Sequence, residues 1–168
     1  MKSIVEFLKK ILLVIELVIA VVVINWEATL FIGLIFLDQF TKFKIASTML
    51  IGNSITIIDN FFSLTYVHNP GAAFGILPHQ RVFFLCVGVL GFALFAYMYR
   101  GIEKNDKLLK AGALCLMSGT VGNWIDRFVY GYVIDFLDFK VWAPIFNIAD
   151  MALVFGVGIV IYDVIKKK

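Results

Sequence analysis

Two cysteines cannot support a disulfide framework here, because Cys86 and Cys115 each lie inside an apolar run with no Cys-x-x-Cys spacing. No histidine stands at ligand distance from either thiol, and His68 and His79 have no partner at metal spacing, so a zinc site is not indicated. Charge is scarce as well. Only 16% of the 168 residues are charged against 61% hydrophobic, and a mean hydropathy of +0.94 takes the chain out of the soluble class. The net charge of +3 comes from clusters of Lys and Arg, without the interleaved basic and aromatic residues that nucleic-acid binding uses. Nucleic acid is not expected as a partner. What is present is a single integral membrane domain.

Apolar runs long enough to cross a bilayer occupy residues 14–37, 82–100, 111–130 and 145–165. The N-terminal stretch resembles a secretory signal, but no small-x-small cleavage site follows and Asn25, Trp26 and Glu27 lead into a further apolar run, so a retained span is expected. A helix from Ile11 to Leu37 would rise roughly 40 Å, more than a hydrocarbon core of about 30 Å needs, which implies tilt or first turns beyond the inner interface. Glu16, Glu27 and Asp38 recur every eleven residues, nearly the same helical face, and either chance or a protein-facing stripe explains them. Arg100, Lys104, Lys107 and Lys110 separate the second and third runs, and Lys166, Lys167 and Lys168 follow the fourth. With Lys2, Lys9 and Lys10, they place both termini in the cytoplasm and residues 51–79 and 130–143 outside.

The outer segment contains SITIIDNFFSLTYVHNPGAAFG, whose β-branched and aromatic clusters around Asp59-Asn60 predict two or three short strands, ended by Asn69, Pro70 and Gly71. An open sheet edge is excluded from hydrocarbon, so these strands belong at the water boundary.

Two carboxylates, Asp135 and Asp150, flank the short polar connection before the fourth run. Carboxylates at a membrane boundary are costly unless paired or wet, which makes the pair a candidate site, the alternative being two solvated loop charges. Pro144 suits the first turn of the fourth helix, which would put Asp150 roughly 8 to 9 Å below that end. On the third helix Gly119, Asn123, Asp126 and Arg127 share one face, either as ordinary small-residue packing or as hydrogen-bonding groups at the depth of Asp150. Two acids a few Å apart share one proton, so one can act as base and the other as acid toward water and an amide.

In order, D38QFTK42, N69PGAAFG75, G119TVGNWIDR127, V133IDF136 and F146NIAD150 closely resemble the lipoprotein signal peptidases, also called signal peptidase II, over about residues 30–165. The resemblance implies a membrane aspartyl endopeptidase with four transmembrane helices, a small external β-sheet and a short interfacial helix. Its substrates would be bacterial prolipoproteins in the lipids of the cell membrane, cut just before a diacylglyceryl-modified cysteine. It further implies that Asp135 and Asp150 are the catalytic dyad and that Asp38, Lys42, Asn69, Gly71, Gly119, Asn123, Asp126, Arg127, Asn147 and Ala149 shape the site or hold substrate. No metal or organic cofactor is implied. Ser118 stands where the family usually begins its third block with paired glycines, and the segment before Asp38 is longer than usual by about a dozen residues. The competing class, a small proton-coupled transporter or membrane assembly factor, would call for charges near the midplane and usually an internal repeat, which the sequence does not contain.

Overall fold

The computed structural model describes residues 25–71, 77–78 and 80–167. The first helix, α1 (Trp26–Thr48), starts at Asn25, whose side chain accepts the Ala28 N–H, and ends where Met49 turns extended. Its inward strip is Asp38, Lys42 and Ile45, at i, i+4, i+7 spacing. The helix therefore runs on past residue 37, the expected end of the first span, because Asp38 and Lys42 form an ion pair one turn apart at 2.8 Å and need no water. Glu16 and residues 14–24 of that expected span lie outside the described residues.

A hairpin follows. Strands β1 (Ser54–Ile58) and β2 (Phe62–Asn69) pair antiparallel, with Asn60 at φ 56° in the turn, a left-handed conformation that asparagine tolerates. Helices α2 (Arg81–Gly101) and α3 (Lys107–Val129) come next, and the Asp106 side chain caps α3 by accepting the Leu109 N–H at 3.0 Å. Gly131, at φ 85°, then turns the chain into β3 (Val133–Phe139), which pairs with β2 to complete a three-stranded antiparallel sheet of order β1-β2-β3. This third strand was not expected, because VIDFLDF places Asp135 and Asp138 within an otherwise apolar run and so reads as a polar connection. The last helix, α4 (Ile148–Lys166), begins three residues later than the sequence suggests. Pro144 lies outside it, since Phe146 is drawn into backbone hydrogen bonds with Leu137 of β3 and Asn147 becomes the cap. Asp150 is consequently in the first turn, not one and a half turns deep.

Helix α3 is the hub, packed by α1, α2 and α4. Its approach to α4 depends on glycine: a Cβ on Gly119 would lie 2.4 Å from the Ala149 carbonyl oxygen, and one on Gly156 of α4 would lie 2.7 Å from Leu116. The sheet rests on the C-terminal end of α1 through Ile45, Met49, Tyr66, Ile134, Phe136 and Leu137. By length and composition α2 and α4 can each cross a membrane, whereas α1 and α3 carry their charges toward one another. Among the described residues there is no further helix to match the expected interfacial one.

Candidate active site

Sheet register brings the two candidate acids together. The irregularity between Leu64 and Val67 of β2 sets Val67 opposite Asp135 and Asn69 opposite Val133, so that the Asn69 amide can donate to the Asp135 Oδ2 at 3.0 Å. From the other side Asn147 Nδ2 donates to Asp135 Oδ1 at 2.6 Å. Asn147 also closes a capping box with Asp150: its Oδ1 accepts the Asp150 N–H at 2.9 Å, and Asp150 Oδ2 accepts the Asn147 N–H at 3.2 Å. Asn123 Nδ2 donates to Asp150 Oδ1 at 2.7 Å. Each carboxylate thus takes two N–H bonds from separate elements, and Asn147 serves both.

Beneath them lies a buried polar floor. Lys42 Nζ pairs with Asp38 at 2.8 Å and Asp126 at 3.0 Å and donates to Asn123 Oδ1 at 3.2 Å. That last bond, with one from Asn147 Nδ2 at 3.0 Å, leaves only the NH₂ of Asn123 for Asp150. Asp38 Oδ1 accepts the Ala149 N–H at 2.9 Å at the start of α4, and Asp126 Oδ2 accepts the Ile134 N–H at 3.0 Å in β3. The floor therefore ties α1 and α3 to both elements that carry the candidate acids. Among the described residues no buried side-chain nitrogen or oxygen lacks a partner.

Asp135 is almost fully buried, and burial, reinforced by the nearby Asp150, pushes its carboxyl up to about 7 against the opposing pull of the Asn69 and Asn147 amides. Both acids line one cavity of about 630 Å³, together with Asn69, Asn123 and Arg127. Arg127 stacks over Phe84 of α2 and donates to the Gly71 carbonyl at 2.8 Å, fixing the chain just past β2. The remaining wall is apolar, with Phe139, Trp142 and Phe146 on one side and Met151, Leu153 and Phe155 on the other. Two acids bridged by one asparagine in a largely apolar cavity have the groups needed to activate water against a carbonyl. Among the described residues no cluster of three His, Cys, Asp or Glu side chains could hold a metal ion.

All twelve sequence-selected residues fall within or against this network. Gly119 and Ala149 act through backbone contact, while Gly71 is held by its own N–H to Asn69 Oδ1 at 3.0 Å. Ala72, Ala73 and His79 lie outside the described residues. Gln39 is the omission: its amide donates to Asp38, the Gly122 carbonyl and Asp126 at 2.9 to 3.1 Å. A glutamine inside an apolar helix, next to Asp38, is the signal that could have found it. Of the acidic stripe on α1, Glu27 and Asp38 both face protein, Glu27 accepting from Lys110 at 2.8 Å and from the Tyr99 hydroxyl.

A family model described as signal peptidase (SPase) II matches residues 30–166. The lipoprotein signal peptidase of Moorella thermoacetica is 43% identical over 129 residues, 77% of this chain and 85% of that protein. That of Brevibacillus brevis is 43% identical over 141 residues, 83% of this chain and 94% of that protein. Among solved structures, a bacterial membrane enzyme determined by the in meso method at 2.3 Å resolution matches with a TM-score of 0.81 at 34% identity, covering 85% of this chain and 89% of its own. A second, at 1.9 Å resolution, matches with a TM-score of 0.80 at 33% identity, covering 86% and 96%.

Proposed function

The chain belongs to the signal peptidase II family, and from that premise we propose that it is an aspartyl endopeptidase that removes signal peptides from prolipoproteins, with Asp135 and Asp150 as its dyad. The observation that carries this reading is that these two carboxylates, Asp135 buried and Asp150 half-buried, line one cavity and are bridged by one residue, Asn147.

With Asp135 raised to about 7 by burial and by Asp150, the pair holds one proton on the acid side of neutrality. The proposed cycle starts with that proton on Asp135 and uses Asp150, which accepts from Asn123 and from the Asn147 N–H, as the base. Asp150 takes a proton from water as its oxygen attacks the scissile carbonyl carbon, and Asp135 gives its proton to the carbonyl oxygen. The C–N bond then breaks as Asp150 passes its proton to the leaving amine, and Asp135 regains a proton from the tetrahedral hydroxyl. Among the charged groups of the floor, Lys42 offsets Asp38 and Asp126, and it bears on the dyad through Asn123.

The proposed function takes all four helices, α1 to α4, as membrane crossings, of which α2 and α4 are apolar enough by composition alone. Their 23, 21, 23 and 19 residues rise about 28 to 35 Å, enough for a hydrocarbon core of about 30 Å. The pairing of Glu27 with Lys110 and Tyr99 supports a first crossing that includes α1, with these three residues toward the inner side. Arg100, Lys104, Lys107, Lys166 and Lys167 then face the cytoplasm, and the sheet and dyad face outward. Substrates carrying a diacylglyceryl cysteine are held at the depth of the dyad by their acyl chains, at about 0.8 kcal/mol per buried CH₂. The transporter or assembly alternative is not favoured, since the relatives are named as peptidases.

The test is incubation of the purified protein with a diacylglyceryl-modified prolipoprotein and its unlipidated counterpart. Release of the signal peptide from the first alone is expected; equal release would remove lipid anchoring from the account, and no release from either would remove the peptidase.

A further inference from the structure

Among the described residues none from α2 lines the dyad cavity, yet the first turns of that helix are fastened to the last turns of α3. Arg81, the first residue of α2, donates from Nε to the Arg127 carbonyl at 2.8 Å and from Nη2 to the Phe128 carbonyl at 2.5 Å. Phe84 lies under the Arg127 guanidinium, its ring centre 4.8 Å from the guanidinium carbon. The Leu85 carbonyl accepts from Trp124 Nε1 at 3.2 Å, and Gly88 leaves room for that indole, since a Cβ there would stand 2.6 Å from Trp124 Cδ1. At about 100° per residue, positions 81, 84, 85 and 88 form one face of α2.

Arg81 meets α3 where a helix is weakest. The last carbonyls of a helix lack intrahelical partners, and its final turn frays unless something holds them. A guanidinium suits two neighbouring carbonyls because its N–H groups form a rigid fork, and its positive charge is favourable at the negative end of the helix dipole. Among the described residues Arg81 has no carboxylate partner. Its stem also lies against the turn into β3, with Cδ 3.6 Å from where a Cβ on Gly131 would stand. The turn of α3 that it holds carries Arg127, whose guanidinium lines the cavity beside Asp135 and Asp150 and donates to the Asn123 and Gly71 carbonyls at 3.3 and 2.8 Å. The start of α2 therefore grips Arg127 at both ends, its carbonyl through Arg81 and its guanidinium through Phe84.

We propose that Arg81 is a positioning residue for cleavage: it cannot reach the dyad, and it acts by fixing the last turn of α3 so that the Arg127 side chain enters the cavity in one place. The proposal rests on the peptidase function proposed above. It gives α2 a part in the reaction although the helix contributes no group to the cavity.

The test is steady-state cleavage of a diacylglyceryl-modified prolipoprotein by the full chain and its variants. Arg81 is exposed, so Arg81→Ala opens no gap in the core. Its kcat should fall about tenfold with KM within about twofold, while Val82→Ala, at a neighbour 73% exposed, keeps the parental rate. Methylguanidinium chloride should restore part of the lost kcat, and sodium chloride at the same concentration should not. In an Arg127→Ala background, removing Arg81 should change kcat by less than about twofold, because the two residues act as a unit. Parental kcat for Arg81→Ala, the same loss for Val82→Ala, or an equal loss with and without Arg127 overturns the proposal. If Arg81→Ala does not fold, Arg81→Lys serves: it keeps the charge but not the fork, and should still lose about threefold or more in kcat. Parental kcat for Arg81→Lys would then overturn the proposal. Failure of the parent itself to cut would instead overturn the peptidase reading, and the proposal with it.

Discussion

Asn147 and Asp150 cap one another at the start of α4, each accepting the other's backbone N–H, at 2.9 and 3.2 Å. The capping box that begins the helix therefore also fixes the carboxylate of Asp150, and it leaves the Asn147 NH₂ free to reach Asp135 at 2.6 Å. Helix initiation and the geometry of the proposed dyad depend on one side chain. Asn147→Ala is expected to lower stability by about 1 to 2 kcal/mol, as a lost cap does, and to lower kcat about a hundredfold with KM nearly unchanged. Thermal unfolding in detergent and steady-state kinetics check the two parts separately.

Lys42 is 2% exposed between Asp38 and Asp126. Lys42→Met leaves two buried carboxylates without their cation, at a cost of about 3 to 5 kcal/mol. Adding Asp38→Asn and Asp126→Asn should restore part of that stability without restoring activity, because Asn123 has still lost the Lys42 donor that orients its amide. Recovery of stability and activity together would contradict this role.

Gly119 and Gly33 provide a contrast within one fold. A Cβ at Gly119 meets the Ala149 carbonyl oxygen, whereas one at Gly33 meets nothing within 4 Å. Gly119→Ala should therefore force α3 from α4, lowering stability by about 1 to 3 kcal/mol and displacing Asp150. Gly33→Ala should be neutral or stabilising by up to about 1 kcal/mol. Paired melting curves and cleavage rates distinguish the two.

The pH profile tests the proton on the dyad. Burial and Asp150 raise Asp135 to about 7, so the shared proton is present below that pH and is lost as pH rises through it. Cleavage should fall along an alkaline limb near pH 7. The same shift acts on stability: the folded state binds this proton more tightly than the unfolded chain, so its stabilising effect is full below the ordinary carboxyl range near 3.8 and is lost as pH rises through about 7. Asp135→Asn should remove both the alkaline limb of any residual activity and this loss of stability between pH 4 and 8.

Much of this site is legible in the sequence because its parts are costly anywhere else. Asp38, Lys42, Asn123, Asp126 and Asp150 interrupt apolar helices, and a buried charge announces a partner. The β1-β2 hairpin is legible for a local reason, a turn signal between two β-branched runs. Strand β3 was hidden because its carboxylates mimic a loop, and only pairing with β2, some seventy residues earlier, makes it a strand. The start of α4 differs because Pro144 is a good first-turn residue locally, while the backbone bonds from Phe146 back to Leu137 of β3 hold that stretch outside the helix. Strand pairing overrode local propensity in both cases.

The central claim is that Asp135 and Asp150 perform the cleavage, and single-turnover assays of purified Asp135→Asn and Asp150→Asn on a diacylglyceryl-modified prolipoprotein test it most directly. Asparagine keeps the shape and part of the hydrogen bonding at each position but cannot exchange the proton. Each variant should fold, melt within a few degrees of the parent at pH 5, and cut at least about a thousandfold more slowly. Substantial turnover by either folded variant would contradict the account and remove that residue from the dyad.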